Sequence, residues 1–165
     1  MALPQECLIS LARKYGMEIK GYVSVNPEDK ERVLIHLDKV FVIPELGTVK
    51  NEFHVGVRIV NWKKIAEKYG KKPFKPYNYE VNIHISTSGY ETFWASRTFT
   101  GDDIYALMKQ ACSAIEKYYD DWMWFLERKK ERITGREERK EEKKEGLWKW
   151  LCLIPIAGMF LFRRR

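Results

Sequence analysis

Three histidines carry the most versatile chemistry in this chain, and each lies in a segment that reads as a β-strand. His36, His54 and His84 sit among side chains that alternate between apolar and polar, which is the period of a half-buried strand. Histidines that share one face of a sheet can converge on a metal ion. No two of them have the short spacing of a metal-binding motif, so the sequence predicts no metal and no other cofactor.

The segment His84-Ile-Ser86 is similar to one half of the paired His-x-Ser/Thr motif of 2H phosphoesterases. In that family two copies of the motif grip a phosphate from both sides. Here His36 precedes Leu-Asp and His54 precedes Val-Gly, so the resemblance covers one copy. It implies a phosphoesterase or nuclease centred on His84, which is the second alternative function.

The rest of the chain lacks the patterns of common enzymes. It has no glycine-rich phosphate loop and no Gly-x-Ser-x-Gly turn. The carboxylates Asp102 and Asp103 fall at the start of a predicted helix, and Asp120 and Asp121 fall on its surface, where the helix dipole and solvation account for them. The sequence therefore favours a role other than catalysis.

The formal charge of +7 is unevenly distributed along the chain. Residues 127–145 hold nine Lys or Arg against seven Glu, and residues 147–165 add four cations, which leaves +1 for residues 1–126. Because nucleic-acid affinity comes from concentrated positive charge, the total alone does not indicate it. One local cluster supports nucleic-acid binding as the first alternative function: Lys63, Lys64, Lys68, Lys71, Lys72 and Lys75.

Residues 79–119 are predicted to form a hairpin followed by a helix. This order looks like the small sheet-plus-helix modules with which integrase arm domains enter a major groove. The solvent side of the hairpin offers few cations, so the likeness is one of architecture.

The cysteines predict a reduced protein. Cys7, Cys112 and Cys152 are widely spaced and form no Cys-x-x-Cys pair, so we expect neither a disulfide framework nor a zinc ribbon. Cys112 and Cys152 fall in apolar stretches, where cysteine acts as a small hydrophobe. The scarcity of glutamine beside abundant Lys and Glu is typical of a thermophile.

Residues 102–126 predict the principal helix. Thr100 is placed to cap its first N–H groups, with Asp103 at the capping-box position, and apolar residues then recur at spacings of four and three. The end of this helix is crowded with Tyr118, Tyr119, Trp122, Trp124 and Phe125. Two interpretations remain open: the sheet covers these rings, or a protein partner or a second copy of the chain binds them.

The last residues predict attachment to a membrane. Residues 127–145 have sixteen charged side chains in nineteen positions, a solvated helical stalk that Thr134-Gly135 is expected to interrupt. The following apolar segment is marginal for a full span, so a span and a shallow insertion bent at Pro155 both remain open. The residues expected to insert are Trp148, Trp150, Leu151, Leu153, Ile154, Ile156, Phe160 and Phe162, and those expected to meet lipid head groups are Lys149, Arg163, Arg164 and Arg165.

Together these patterns predict an α+β fold, with an antiparallel sheet of about five strands packed on a long C-terminal helix. The expected domains are a globular head at 1–126, a charged stalk at 127–146 and a hydrophobic membrane-inserting tail at 147–165. With no N-terminal signal sequence in view, we expect the head on the cytoplasmic side of a membrane. The favoured function is a non-enzymatic, membrane-anchored binding or assembly protein, either a cellular scaffold or a viral structural protein.

Overall fold

The computed structural model describes residues 2–70, 72 and 74–159. Within these residues, three α-helices and five strands follow one another, and a short 3₁₀ turn at Pro44–Leu46 separates the second strand from the third. In chain order they are α1 (Glu6–Tyr15), β1 (Glu18–Gly21), β2 (Arg32–Val42), β3 (Lys50–Asn61), α2 (Trp62–Lys68), β4 (Tyr79–Ser88), β5 (Trp94–Gly101) and α3 (Ile104–Met159).

The strands form one antiparallel sheet in the order β1-β2-β3-β4-β5, so each strand pairs with its neighbours in sequence. Every pairing is antiparallel, as short connections favour. The predicted α+β class, with five strands and a long C-terminal helix, is confirmed.

One face of the sheet supplies the core of residues 1–126. The inward residues of the three central strands, such as Ile35, Phe53 and Ile83, are fully buried. Helix α1 contributes Leu8, and α3 contributes an apolar stripe with the predicted helical spacing. Those α3 residues are Ile104, Leu107, Met108, Ala111, Ile115, Tyr119, Trp122 and Leu126.

The first strand is shorter than the sequence predicts. Alternation suggests a strand over 19–25, but β1 ends at Gly21. The amide of Gln5, which is fully buried, donates hydrogen bonds to the carbonyls of Val23 (2.9 Å) and Val25 (2.7 Å). A side chain distant in sequence thus holds the segment after Gly21, which does not continue the strand. Gly16, with φ of 63°, caps the end of α1.

Helix α3 differs from the prediction at two places. Its first N–H groups are capped by Asp103, not by Thr100, which lies in β5 opposite Glu80. The helix also continues through Thr134-Gly135. The Thr134 hydroxyl donates to the carbonyl oxygens of Lys130 (3.0 Å) and Glu131 (3.3 Å), so this polar group is satisfied within the helix.

The contact pattern divides the chain into two units, residues 1–126 and 127–165. The site residues discussed below belong to the first unit. In the second, the backbone of residues 127–159 is helical, and this range includes Pro155, where the sequence predicts a bend. Residues 160–165, and with them Phe160, Phe162 and the three terminal arginines, lie outside the described part of the chain.

The predicted transmembrane tail anchor is wrong. Among the residues that the structure describes, no helix has a stretch that is long and apolar enough to cross a membrane. The uncharged run after Lys149 holds thirteen residues, which at about 1.5 Å each reaches about 20 Å of a roughly 30 Å hydrocarbon core. The lipid contacts predicted for individual side chains of this segment stay predictions.

The expectation that the cysteines are isolated is also wrong. Cys7 of α1 and Cys112 of α3 form a disulfide across 105 residues of chain. Spacing along the chain could not show this pair, because the two helices meet only when both pack on the sheet. Disulfides persist in oxidising compartments and inside hyperthermophiles. The spacing of the cysteines therefore no longer supports the predicted reducing compartment.

Candidate binding surface on the open face of the sheet

The second face of the sheet brings the three histidines together. Residues on this face form rows across the strands, and one row runs Lys20, His36, Gly56, His84 and Ser96. The neighbouring row contains His54, opposite Asp38 on one side and Ser86 on the other. Strand alternation thus predicted each side chain's orientation, while the register between strands set their proximity. We call this surface, on the side of the sheet away from α1 and α3, the open face.

Each histidine has a different environment. Nδ1 of His54 is hydrogen-bonded to a carboxylate oxygen of Asp38, and the ring stacks on His36 at 5.4 Å between centroids. The indole N–H of Trp94 donates to Nε2 of His84 at 3.0 Å, so that nitrogen is the acceptor. Nδ1 of His36 is buried and has no hydrogen-bond partner within the described residues.

These contacts use one ring nitrogen of His54 and one of His84. Asp38 engages His54, and Trp94 engages the outer nitrogen of His84. Across the part of the chain that the structure describes, no three His, Cys, Asp or Glu side chains are arranged to hold a metal ion. His84 and Ser86 do share the open face. The phosphoesterase reading of this motif stays a prediction.

The open face also exposes large apolar side chains. Trp94 is 68% exposed, Val40 56%, Val42 46% and Leu34 44%. A solvent-facing side of an antiparallel sheet is usually polar, and several exposed apolar groups on one such side indicate a contact surface. A shallow cavity of about 550 Å³, next to Val40, is lined by β1, β2, the start of β3 and the end of β4.

Charged side chains on the open face are balanced. Lys20 lies 3.0 Å from Glu18 and 3.8 Å from Asp38, and the hydrogen bond that Lys20 donates to Glu18 is the main reason that the pKa of Lys20 is raised. Four cations and four acids share this face by strand register: Lys20, Arg32, Lys50 and Arg58 with Glu18, Asp38, Glu52 and Glu80.

One end of the open face is closed by residues next to α2. The indole N–H of Trp62 and the hydroxyl of Tyr77 each donate to Glu80 at 3.3 Å. Burial, followed by the charge of Glu80, raises the pKa of Tyr77 and keeps its hydroxyl a donor. Val60 is buried beneath this corner. Val40, Val42 and Trp94 lie towards the opposite end, whereas Leu34 is in the row next to this corner.

The aromatic end of α3 is divided between core and surface. Tyr119 and Trp122 are buried against Phe53, with ring centroids at 5.1 and 5.4 Å. Tyr118 stacks with Phe93 at 6.3 Å, whereas Trp124 is 59% exposed. The interpretation that the sheet covers these rings holds for Tyr119 and Trp122, and the binding of a partner stays a prediction. The partner contact predicted for this helix end is left with a smaller surface.

The predicted lysine cluster is dispersed around α2. Lys68 forms an ion pair with Glu31, and the Lys75 ammonium lies 5.8 Å from the Trp62 ring centroid. Lys63 and Lys72 are exposed, Lys64 is half-buried, and Lys71 lies outside the described residues. Because one of the charges is already compensated by an acid, the cluster is a weaker site for phosphates than its sequence suggests. Its nucleic-acid contacts stay a prediction.

The chain matches no protein-family model, no curated protein and no solved structure. Function is therefore inferred from the geometry of these surfaces.

Proposed function

We propose that this protein is a non-enzymatic assembly protein whose open face packs against the open face of a second copy. The observation that supports this most directly is the set of exposed apolar side chains Leu34, Val40, Val42 and Trp94 on one side of a five-stranded sheet. Burying them against another protein removes apolar surface from water at roughly 25 cal/mol per Å².

A second copy is the occupant that suits the charges of this face. In a two-fold interface the same patch meets itself, so a patch with a large net charge would repel its copy. Four cations against four acids leave the open face formally neutral when its histidines are neutral. Lys20 already lies beside Glu18 and Asp38, so these charges need no new partner on association.

This proposal keeps the binding and assembly role that the sequence favours and drops the membrane-spanning anchor. The surface it uses is the sheet, rather than the aromatic end of α3, because Tyr119 and Trp122 are buried in the core. A scaffold in a cell and an assembly protein of a virus both fit such a module.

Sedimentation velocity of the full chain over a range of concentrations tests the proposal. We expect a concentration-dependent dimer, weakened by Val40→Glu combined with Val42→Glu. Each valine removed from an interface costs roughly 1.5 kcal/mol or more, so the dissociation constant should rise at least about 100-fold.

Val49→Glu is the matched control. Val49 is 44% exposed, similar to Val42, but it precedes β3 and lies outside the sheet. This variant should associate as the unmodified chain does. A chain that is monomeric at every concentration would contradict the proposal, and so would a double variant that dimerises normally.

A further inference from the structure

A groove between β5 and α3 is lined by cations without acids, whereas cations and acids balance on the open face. Its volume is about 560 Å³, and its lining includes Arg97 of β5 together with Lys109 and Lys117 of α3. Phe99, Gln110 and Ser113 also face it, and no acidic side chain does. All of these residues belong to the unit 1–126.

The three cations lie on two neighbouring elements, and their side chains are exposed. Arg97 pairs with Ile83, so it lies on the helix-covered side of the sheet. The side chain of Arg97 is nevertheless exposed, because β5 is the edge strand. On α3, Lys109, Ser113 and Lys117 follow one another at steps of four residues, which form a ridge along a helix. The two lysines are about 12 Å apart along the helix axis.

These cations are available for a ligand. Within the described residues, Arg97, Lys109 and Lys117 form no ion pair with an acid. Glu116, the acid next to Lys117 in sequence, is bound by the ammonium of Lys14 and by the hydroxyl of Tyr15. The hydrogen bond from Lys14 lowers the pKa of Glu116, so this carboxylate is ionised and already compensated.

We propose that this groove binds the phosphate backbone of a nucleic acid. One strand of a duplex carries one phosphate for about every 3.4 Å of helix axis, and neighbouring phosphates on the strand are farther apart than this rise, so the roughly 12 Å ridge can contact more than one phosphate of the same strand. The Arg97 guanidinium can bind a phosphate with two parallel hydrogen bonds. Gln110 and Ser113 supply neutral donors between the lysines, and the ring of Phe99 offers a surface on which a base can stack.

Small side chains permit a backbone to approach closely. Ala106 and Ala114 complete the helix side of the groove, so no bulky group separates the ligand from α3. The unpaired edge of β5 adds backbone groups that can donate to phosphates. The groove lies on the far side of β5 from the open face, so its binding is independent of the proposed dimer.

Fluorescence anisotropy of the full chain with a labelled 20-nucleotide single strand, and with its duplex, tests the proposal at several salt concentrations. The groove variant combines Arg97→Ala, Lys109→Ala and Lys117→Ala. The control combines Lys63→Ala, Lys64→Ala and Lys72→Ala, which removes the same charge from the lysine cluster around α2. We expect the groove variant to bind at least about tenfold more weakly at low salt and the control to bind normally.

The salt dependence gives a second readout. Each lost phosphate contact should reduce the slope of log K against log[salt] by about 0.7 for a single strand, so the groove variant should lose about 2 in total. A double variant, Lys109→Glu with Lys117→Glu, repeats the test at two exposed helix positions, and its thermal unfolding shows whether the fold persists.

Three results would overturn the inference. One is an unmodified chain that binds neither oligonucleotide at low salt. The second is a control variant that loses as much affinity as the groove variant, which would assign binding to the α2 lysines or to charge in general. The third is polyglutamate competing as well as the oligonucleotide, which would indicate an acidic protein as the ligand.

Discussion

At the scale of single residues, two glycines next to the candidate surface have different roles. Gly56 lies between His36 and His84, and a Cβ there would meet both at 3.8–3.9 Å, which is ordinary van der Waals contact. Gly89, in the turn between β4 and β5, has φ of +108°, and a Cβ would lie 2.4 Å from the carbonyl oxygen of Lys50. Gly89 is thus required by the backbone, whereas Gly56 leaves a gap between two imidazoles.

We therefore expect opposite results from the same substitution at the two positions. Gly56→Ala should be neutral or stabilising by up to about 1 kcal/mol, because a glycine inside a strand costs about that much. Gly89→Ala should lower the free energy of unfolding by about 1–3 kcal/mol, since the backbone is strained and a clash cannot relax easily. Urea denaturation of both variants measures the difference, and a Gly56→Ala loss as large as that of Gly89→Ala would contradict this interpretation.

At the scale of elements, the start of α3 shows how strand pairing selects between two possible helix-capping residues. Both Thr100 and Asp103 are good capping residues. Pairing of β5 with β4 keeps Thr100 extended, opposite Glu80. Asp103 then accepts from the N–H groups of Tyr105 (2.9 Å) and Ala106 (3.2 Å), while Asp102 accepts from the N–H of Asn78.

Asp103→Ala should destabilise the protein by about 1 kcal/mol, because two backbone donors lose their acceptor. Thr100→Ala is the control, and its effect should stay within about 0.5 kcal/mol, as for most surface positions. Thermal unfolding of the two variants separates them. If Thr100→Ala were the more damaging change, the helix would start where the sequence alone suggested.

At the scale of the whole molecule, the Cys7–Cys112 disulfide ties the first helix to the last across 105 residues. It joins two helices that together cover one face of the sheet. A cross-link of this span restricts the unfolded chain strongly, because the loop it closes is long.

Cys7→Ser should lower the free energy of unfolding by about 2–5 kcal/mol, measured by guanidinium denaturation without reductant. A reductant should destabilise the unmodified chain by a similar amount and leave the Cys7→Ser variant unaffected. A reductant that changes neither protein would show that the two thiols are not bonded in solution.

Much of the fold follows from local patterns. The alternation around His54 and His84 predicted two strands of the sheet, and the spacing of apolar residues from Ile104 onward predicted the buried stripe of α3. The candidate surfaces were predicted less completely from the sequence. Arg97 and Lys117 were missed as groove residues, although the alternation in β5 and the spacing of Lys109 and Lys117 were visible, because only packing brings a strand edge beside a helix.

The amino-acid sequence by itself indicated most helices and strands, since a period of two or of 3.6 residues is complete within one segment, but not where β1 ends or that α3 continues through Thr134-Gly135. Tertiary structure alone decided which segments meet. The stacking of His36 on His54, the bond between Cys7 and Cys112, and the burial of Trp122 beside Phe53 all depend on strand register and helix docking. Those are set by the joint packing of residues far apart in the chain, and no single stretch of sequence carries that information.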